Sequence, residues 1–315
     1  MTTLTRLEQW KDAGIITGEQ FDAITRVVRK DRFSIFFELN ALLYLGVISI
    51  VAGVGWVIQA YFANVGDAVI ISSLTLLLFS SFYYCFTSSM PYSTAQVQSP
   101  NLAFDYVLYG GCLLFGIEIA YIEERFHLLD ASADLYLLGS ALIFFALAYR
   151  FDNRLVLSLA LSSLAAWFGI RLSQSPQRYG ESLRPYAIAY GTIVASMGGL
   201  LHAAGVKKHF TETYLHIAAN VTFAALVSGV FDESASWLYL VALLALAAVA
   251  IFQGVQFRRF AFLAYSIIYG YIGISAEVLR GRTMESPVAL TYLIVSSIGV
   301  VGFIIFLARV FGREE

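Results

Sequence analysis

Glu118 is the residue whose type and position most suggest chemistry, because its carboxyl group lies inside a long apolar stretch of the chain. The stretch runs from 103 to 122, which puts Glu118 about four residues, or ~6 Å of helix rise, from its end. Acidic residues in such stretches are candidates for a site that holds a proton, a cation or a polar substrate. The alternative is a protonated carboxyl group, or one that bonds to a neighbouring helix.

Asn220 and Tyr109 also lie within apolar stretches, and with Glu118 they form the candidate polar site of this sequence. The amide of Asn220 either joins two helices through hydrogen bonds, which we favour, or contributes to a binding site. Tyr109 is one of several tyrosines whose hydroxyl groups would line a cavity if the helices enclose one.

Residues that commonly bind metals or act as nucleophiles form no recognisable motif. The four histidines are scattered along the chain, at 127, 202, 209 and 216. Cys85 and Cys112 lie in apolar stretches, where a thiol behaves as a small hydrophobic group. The sequence has no phosphate-binding loop, zinc-protease histidine pair or nucleophile elbow. We therefore predict no catalytic, metal-binding or cofactor-binding residue, and the pattern argues against an enzyme.

The composition is that of a protein embedded in lipid. Hydrophobic residues make up 59% of the 315 residues, charged residues make up 13%, and the mean hydropathy is +0.73. Soluble domains are far more polar, so these values indicate an integral membrane protein whose main partner is the lipid bilayer. The net charge of −2 and the lack of a basic stripe exclude nucleic acid as an expected partner.

Apolar stretches of roughly 17 to 23 residues recur along residues 34–315, each near the ~20 needed to cross a bilayer. The sequence therefore predicts an all-α integral membrane protein, a polytopic bundle of about ten transmembrane helices. The approximate spans are 39–62, 68–87, 103–122, 134–149, 155–172, 185–205, 213–231, 236–255, 260–278 and 288–310. Two arginines and an aspartate separate the fourth and fifth stretches, which favours a tight hairpin there over one long span.

Residues 1–33 precede the first span and are predicted to form a small cytoplasmic helix-turn-helix hairpin. Thr17 with Gln20 fits a capping box that opens its second helix, and Gly14 fits the left-handed position that closes the first. The apolar side chains that would dock a cytoplasmic partner are Trp10, Ile15, Phe21 and Ile24. The alternative is a hairpin that packs on itself or on the membrane surface.

The distribution of lysine and arginine predicts the orientation. If the N-terminus is inside, all but six of the twenty basic residues lie on the cytoplasmic side, in accordance with the positive-inside rule. The six exceptions are Arg125, Arg171, Arg178, Arg184, Arg280 and Arg282. We therefore predict a multi-pass protein of the bacterial inner membrane with both termini in the cytoplasm.

Several segments resemble a known family of bacterial membrane proteins. They are the opening from Trp10 through Phe21, the glycine-rich stretch 42-LLYLGVISIVAGVGWVI and the segment 114-LFGIEIAYIEERFHL, which is followed by Trp167. Together they resemble the N-terminal half of predicted membrane proteins assigned to domain-of-unknown-function family 2157. This chain has Glu123 and Glu124 where that family commonly has a glutamine. The resemblance implies a polytopic inner-membrane protein of undetermined function and supplies no catalytic residues.

Two hypotheses for function follow, and a third stays open. The ten spans divide into two halves of five, 39–172 and 185–310, which is the arithmetic of transporters built from inverted repeats. The first hypothesis is therefore a transporter-like protein, or one that handles lipids or small molecules, with Glu118 facing an internal cavity. The second is a non-catalytic scaffold or regulatory subunit whose hairpin docks a partner, and a homo-oligomer is compatible with either. A membrane enzyme acting on lipid would require Glu118, Arg125 and His127 to cluster.

Overall fold

The computed structural model describes residues 3–18, 20–21, 25, 36–61, 66–128, 134–173, 183–232, 236–257, 259–280 and 287–313. Within these residues the regular structure is helical, with no β-strand. A short N-terminal helix, α1 (Thr3–Asp12), precedes the long ones. These are α2 (Phe36–Tyr61), α3 (Asp67–Ser88), α4 (Leu102–Phe126), α5 (Leu135–Phe151), α6 (Arg154–Ser173), α7 (Arg184–Ala203), α8 (Thr211–Val230), α9 (Ser236–Gln256), α10 (Phe260–Val278) and α11 (Pro287–Arg313).

The long helices coincide in order and position with the ten apolar stretches of the sequence. In the described part of the chain, seven helices are long and apolar enough to cross a membrane, and α2 and α5 contain shorter apolar segments. The protein is thus an all-helical membrane protein with several spans. The number of ten spans stays a prediction.

The long helices pack as four antiparallel pairs, and one further helix packs at each edge of the whole arrangement. The pairs are α3–α4, α5–α6, α7–α8 and α9–α10, while α2 packs against α4 and α11 against α10. One core of buried side chains extends from α3 to α8, and a second lies among α8, α9 and α10. Helix α8 also packs against α6, so the two halves of the chain meet along α6, α7 and α8.

Glycine permits close approach of the helices in the second half. A β-carbon added at Gly229 would lie 2.3 Å from the ring of Tyr239 on the next helix, and one added at Gly198 would lie 2.6 Å from Tyr214. The small residues therefore bring the backbones together at these positions, as in other membrane bundles. The glycines of the first span behave differently, because a β-carbon at Gly46 would meet nothing within 4 Å.

The connection between α5 and α6 consists of only two residues. Asp152 takes a left-handed conformation with φ of 59° and ends α5, as its N–H bonds to the carbonyl of Ala148. The side chain of Asn153 then caps α6 by accepting from the N–H groups of Leu155 and Val156, both at 3.0 Å. This tight turn places Asp152 at the end of the bundle where α5 ends and α6 begins, and it fixes the position of the carboxylate there.

The N-terminal residues show the predicted local geometry as far as they are described. Gly14 has φ of 69° after α1, and the backbone N–H groups of Thr17 and Gln20 each donate to the other residue's side chain, at 2.9 and 3.2 Å. The capping box is therefore confirmed. Ile24 and most of the predicted second helix lie outside the described residues, so the hairpin as a unit stays a prediction.

Candidate functional site

Glu118 lies on α4 against α3, and only 7% of the residue is exposed. The hydroxyl of Thr75 on α3 lies 2.5 Å from Glu118 Oε1, and it lies 2.8 Å from the carbonyl oxygen of Ile71 in its own helix. In the described part of the chain Glu118 Oε2 has no hydrogen-bond partner.

The hydroxyl of Thr75 lies within hydrogen-bond distance of two acceptor oxygens. A hydroxyl group carries one hydrogen, so Thr75 cannot donate fully to Glu118 and to Ile71 at the same time. The contact with Glu118 joins α3 to α4, as polar side chains do between membrane helices.

Tyr109 and Asn220 each join a pair of helices elsewhere in the bundle. The ring of Tyr109 meets that of Tyr44 on α2 edge to face, with centroids 5.5 Å apart. Asn220 on α8 accepts a hydrogen bond of 3.2 Å from Tyr269 on α10, and its amide nitrogen donates to the carbonyl of His216 at 2.8 Å. Both sets of contacts are those of residues that hold neighbouring helices together.

The three candidate residues are therefore not brought into contact with one another. Glu118 contacts α3, Tyr109 contacts α2 and Asn220 contacts α10. Open grooves of about 540, 280 and 370 Å³ lie among the described residues, and none of these three is lined by Glu118, Tyr109 or Asn220.

A buried cluster of polar side chains lies at the end of the bundle where α3, α5 and α7 end, here called the loop end. Lys207 Nζ lies 2.9 Å from Asp152 Oδ2, and the two side chains are 1% and 2% exposed. The other carboxylate oxygen of Asp152 contacts Nε2 of His209, and the N–H of Val97 donates to Oδ2 at 2.5 Å. We call Asp152, Lys207 and His209 the ionic cluster.

The ionic cluster holds an extended segment, residues 89–101, across the loop end. The backbone N–H of Lys207 donates to the carbonyl of Thr94 at 2.8 Å, and its Nζ donates to the carbonyl of Ala95 at 3.2 Å. The same Nζ lies 5.5 Å from the ring centre of Tyr92. With Val97 bonded to Asp152, four positions of the segment contact the cluster, so we call residues 89–101 the strap.

Both ends of the strap have further anchors. Arg150 donates to the hydroxyl of Ser89 at 2.9 Å and to the carbonyl of Met90 at 3.0 Å. At the other end, Asp105 accepts from Ser99 at 2.8 Å and from the amide of Asn153 at 2.9 Å. The strap is therefore fixed along most of its length by polar groups of the first half and by Lys207 of the second.

The opposite end of the bundle, here called the arginine end, is held by a different kind of ion pair. Each of the four arginines that the structure describes there lies near a carboxylate. The pairs are Arg125–Asp67 at 2.9 Å, Arg171–Asp134 at 3.9 Å, Arg184–Asp232 at 2.6 Å and Arg280–Glu277 at 3.0 Å. Four of the six arginines that depart from the positive-inside pattern are thus paired with carboxylates.

Sequence reasoning did not find the ionic cluster. Asp152 and Lys207 are separated by more than fifty residues, and neither belongs to a motif. In the sequence, Lys207 only supports a cytoplasmic position for its loop, and Asp152 only indicates a turn between two spans. The sole local signal is that charged residues occupy very short connections, where a buried partner is a reasonable expectation.

Comparison with known proteins finds a family that the first part of the chain resembles. No curated protein and no solved structure matches the chain. The family described as "Predicted membrane protein (DUF2157)" matches residues 8–157, a segment that contains Glu118, the strap and Asp152. Over these residues the chain thus resembles the predicted membrane proteins of this family, and the resemblance seen in its sequence is confirmed.

Proposed function

We propose that this chain is a non-catalytic membrane scaffold or regulatory subunit, in which a fixed bundle carries an N-terminal docking hairpin. The observation that carries the proposal is the burial of the pair Asp152–Lys207, which joins the two halves of the chain at the loop end. A transporter that alternates its access would have to move these halves against each other. Such motion would separate two buried charges that compensate each other, which is unfavourable.

The docking part of the proposal rests on exposed apolar residues near the N-terminus. Trp10 is 48% exposed and Ile15 is 68% exposed, and both lie next to the left-handed turn at Gly14. Phe21 is half-buried beneath the ammonium group of Lys11, which lies 4.6 Å from the ring centre. Large exposed apolar side chains on a capped turn suit a protein partner.

The arrangement in the membrane completes the proposal. Residues 1–33 form the cytoplasmic hairpin and residues 34–315 cross the inner membrane about ten times, with both termini in the cytoplasm. Arg150, Arg154, Lys207 and Lys208 all belong to the loop end, which supports a cytoplasmic position for that end. The strap and the ionic cluster then lie on the same side as the hairpin.

Site-specific crosslinking tests the docking role. A photoreactive amino acid at Trp10 or at Ile15 is expected to capture the same partner in cells, whereas one at the exposed Asp12 serves as the matched control. Deletion of residues 1–33 is expected to remove the captured partner without removing the protein from the membrane. An unchanged set of crosslinked partners in the deletion variant would contradict the proposal.

A second candidate is a transporter-like protein, or one that handles lipids or small molecules through Glu118. The specific observation in its favour is that Glu118 Oε2 lacks a hydrogen-bond partner among the described residues while the side chain is buried. Proteoliposomes with wild type and Glu118→Gln test it, with Thr75→Val as a second variant. Equal ion and proton fluxes in all three preparations would eliminate it.

A further inference from the structure

We propose that the first part of the strap lies in the membrane surface, with the side chains of Met90 and Tyr92 inserted among the lipid headgroups. Its partner is the bilayer, so this surface is independent of the scaffold role and involves neither the hairpin nor the protein that the hairpin docks. Met90 and Tyr92 are the two large hydrophobic side chains of the strap that are exposed, each by 54%. Such side chains at the end of a membrane span suit the lipid interface.

The strap begins where a membrane span ends. Helix α3 is long and apolar enough to cross a membrane, and it ends at Ser88. Met90 precedes Pro91, and a residue before proline avoids the helical conformation, so the chain leaves the helix here. Ser89 is accordingly extended, with ψ of 147°. Since Met90 and Tyr92 follow the last helical residue by two and four positions, they lie close to the level at which α3 leaves the hydrocarbon region.

The lipid-facing surface of α3 leads directly to these two side chains. Phe79, Tyr83 and Phe86 lie on one face of the helix, at spacings of four and three residues, and each is more than half exposed. In a membrane span, exposed apolar side chains face the lipid tails. Met90 follows Phe86 by a further four residues. Along the chain, the exposed apolar positions of α3 thus continue onto the strap as far as Tyr92.

Two cationic side chains mark the level of the headgroups beside Met90 and Tyr92. Arg150 donates to the carbonyl of Met90 at 3.0 Å, and Lys207 Nζ lies 5.5 Å from the ring centre of Tyr92. Arginine and lysine are unfavourable within the hydrocarbon and favourable at its border with the headgroups. Tyrosine prefers the same border, because its ring is apolar and its hydroxyl group is polar. These contacts therefore favour a position at the interface over one in the bilayer core.

The second part of the strap has the opposite character. Its exposed side chains include the polar ones of Thr94, Gln96 and Gln98, which are favoured in water and not in lipid. The carbonyl of Thr94 accepts from the N–H of Lys207 at 2.8 Å, so this part is held against the ionic cluster. The strap therefore connects the lipid surface, at its first part, to the ionic cluster, at its second.

Spin labels on the strap test its depth. A nitroxide would be attached to Met90→Cys or to Tyr92→Cys, with Gln96→Cys and Gln98→Cys as matched controls on the second part of the same segment. The full-length protein would be reconstituted in phospholipid nanodiscs. Power-saturation electron paramagnetic resonance would then measure the accessibility of each label to oxygen, which partitions into lipid, and to a water-soluble nickel chelate. The native cysteines are fully buried and do not compete for the label; they are Cys85 and Cys112.

The labels at Met90 and Tyr92 are expected to be more accessible to oxygen than to the nickel chelate, as is a label at the lipid-facing Phe79. The two controls are expected to show the reverse, as is a label at the exposed Lys208. A label at either Met90 or Tyr92 that is as accessible to the chelate as the one at Lys208 would overturn the proposal. Low accessibility to both reagents would overturn it as well, because protein and not lipid would then cover the strap.

Discussion

The loop end and the arginine end of the bundle both contain ion pairs, but the pairs connect different parts of the chain. At the loop end, Asp152 with Lys207 and Arg154 with Glu212 each join the first half to the second. At the arginine end, the four described pairs all lie within one half. Among the described residues, ion pairs thus join the two halves at the loop end and not at the arginine end.

Burial sets the pair Asp152–Lys207 apart from the described ion pairs of the arginine end. Its two side chains are almost fully buried, whereas in the pair Arg184–Asp232 they are 24% and 35% exposed, and in Arg171–Asp134 only the carboxylate is buried. A buried charge that loses its partner stays uncompensated, whereas an exposed one is solvated by water or headgroups. Removal of one charge should therefore destabilise the protein most at the pair Asp152–Lys207.

The largest effect is expected from Lys207→Met. Removal of the ammonium group leaves the buried carboxylate of Asp152 with only His209 and the N–H of Val97 as partners, so the free energy of unfolding should fall by about 3 to 5 kcal/mol. Thermal unfolding in detergent, followed by circular dichroism, measures the change. The matched control is Lys208→Met, which removes an exposed lysine at the next position and should change little.

The double variant Asp152→Leu with Lys207→Met is expected to recover part of that loss. Replacing both members of a buried ion pair by apolar residues removes the uncompensated charge. Recovery stays incomplete because the N–H of Val97 and the carbonyl of Ala95 lose their partners. A double variant less stable than Lys207→Met alone, in the same unfolding assay, would refute this view of the cluster.

A smaller effect is expected at the arginine end from Arg184→Met. Its pair with Asp232 is partly exposed and lies within one half, so the cost should be about 0 to 1 kcal/mol. The same unfolding assay provides the comparison with Lys207→Met. If the two variants were equally destabilised, the distinction between the two ends would fail.

The smallest effect is expected from Glu118→Gln. A glutamine side chain carries both a donor and an acceptor for the hydroxyl of Thr75, so stability should stay close to that of wild type. Glu118→Ala, which leaves the Thr75 hydroxyl facing a void, should be the less stable of the two. A marked loss of stability in Glu118→Gln would indicate that the carboxyl group itself is required.

The sequence predicted the parts of this molecule that depend on local patterns. Long apolar stretches gave the helical membrane fold, and the capping box of Thr17 and Gln20 is present as expected. The ionic cluster could not be predicted, because it depends on which turns meet in space, and residues such as Asp152 and Lys207 have no periodic relation. Glu118 was recognisable as unusual, but its partner Thr75 on another helix was not.

Distances between the two halves test the central claim most directly, namely that the ionic cluster fixes them at the loop end. Spin labels at Gln98 and Lys208 report on that end, and labels at Leu128 and Phe231, both exposed, report on the arginine end. We expect a narrow distance distribution at the loop end of wild type, which broadens in Lys207→Met. Identical loop-end distributions in wild type and Lys207→Met would contradict the account.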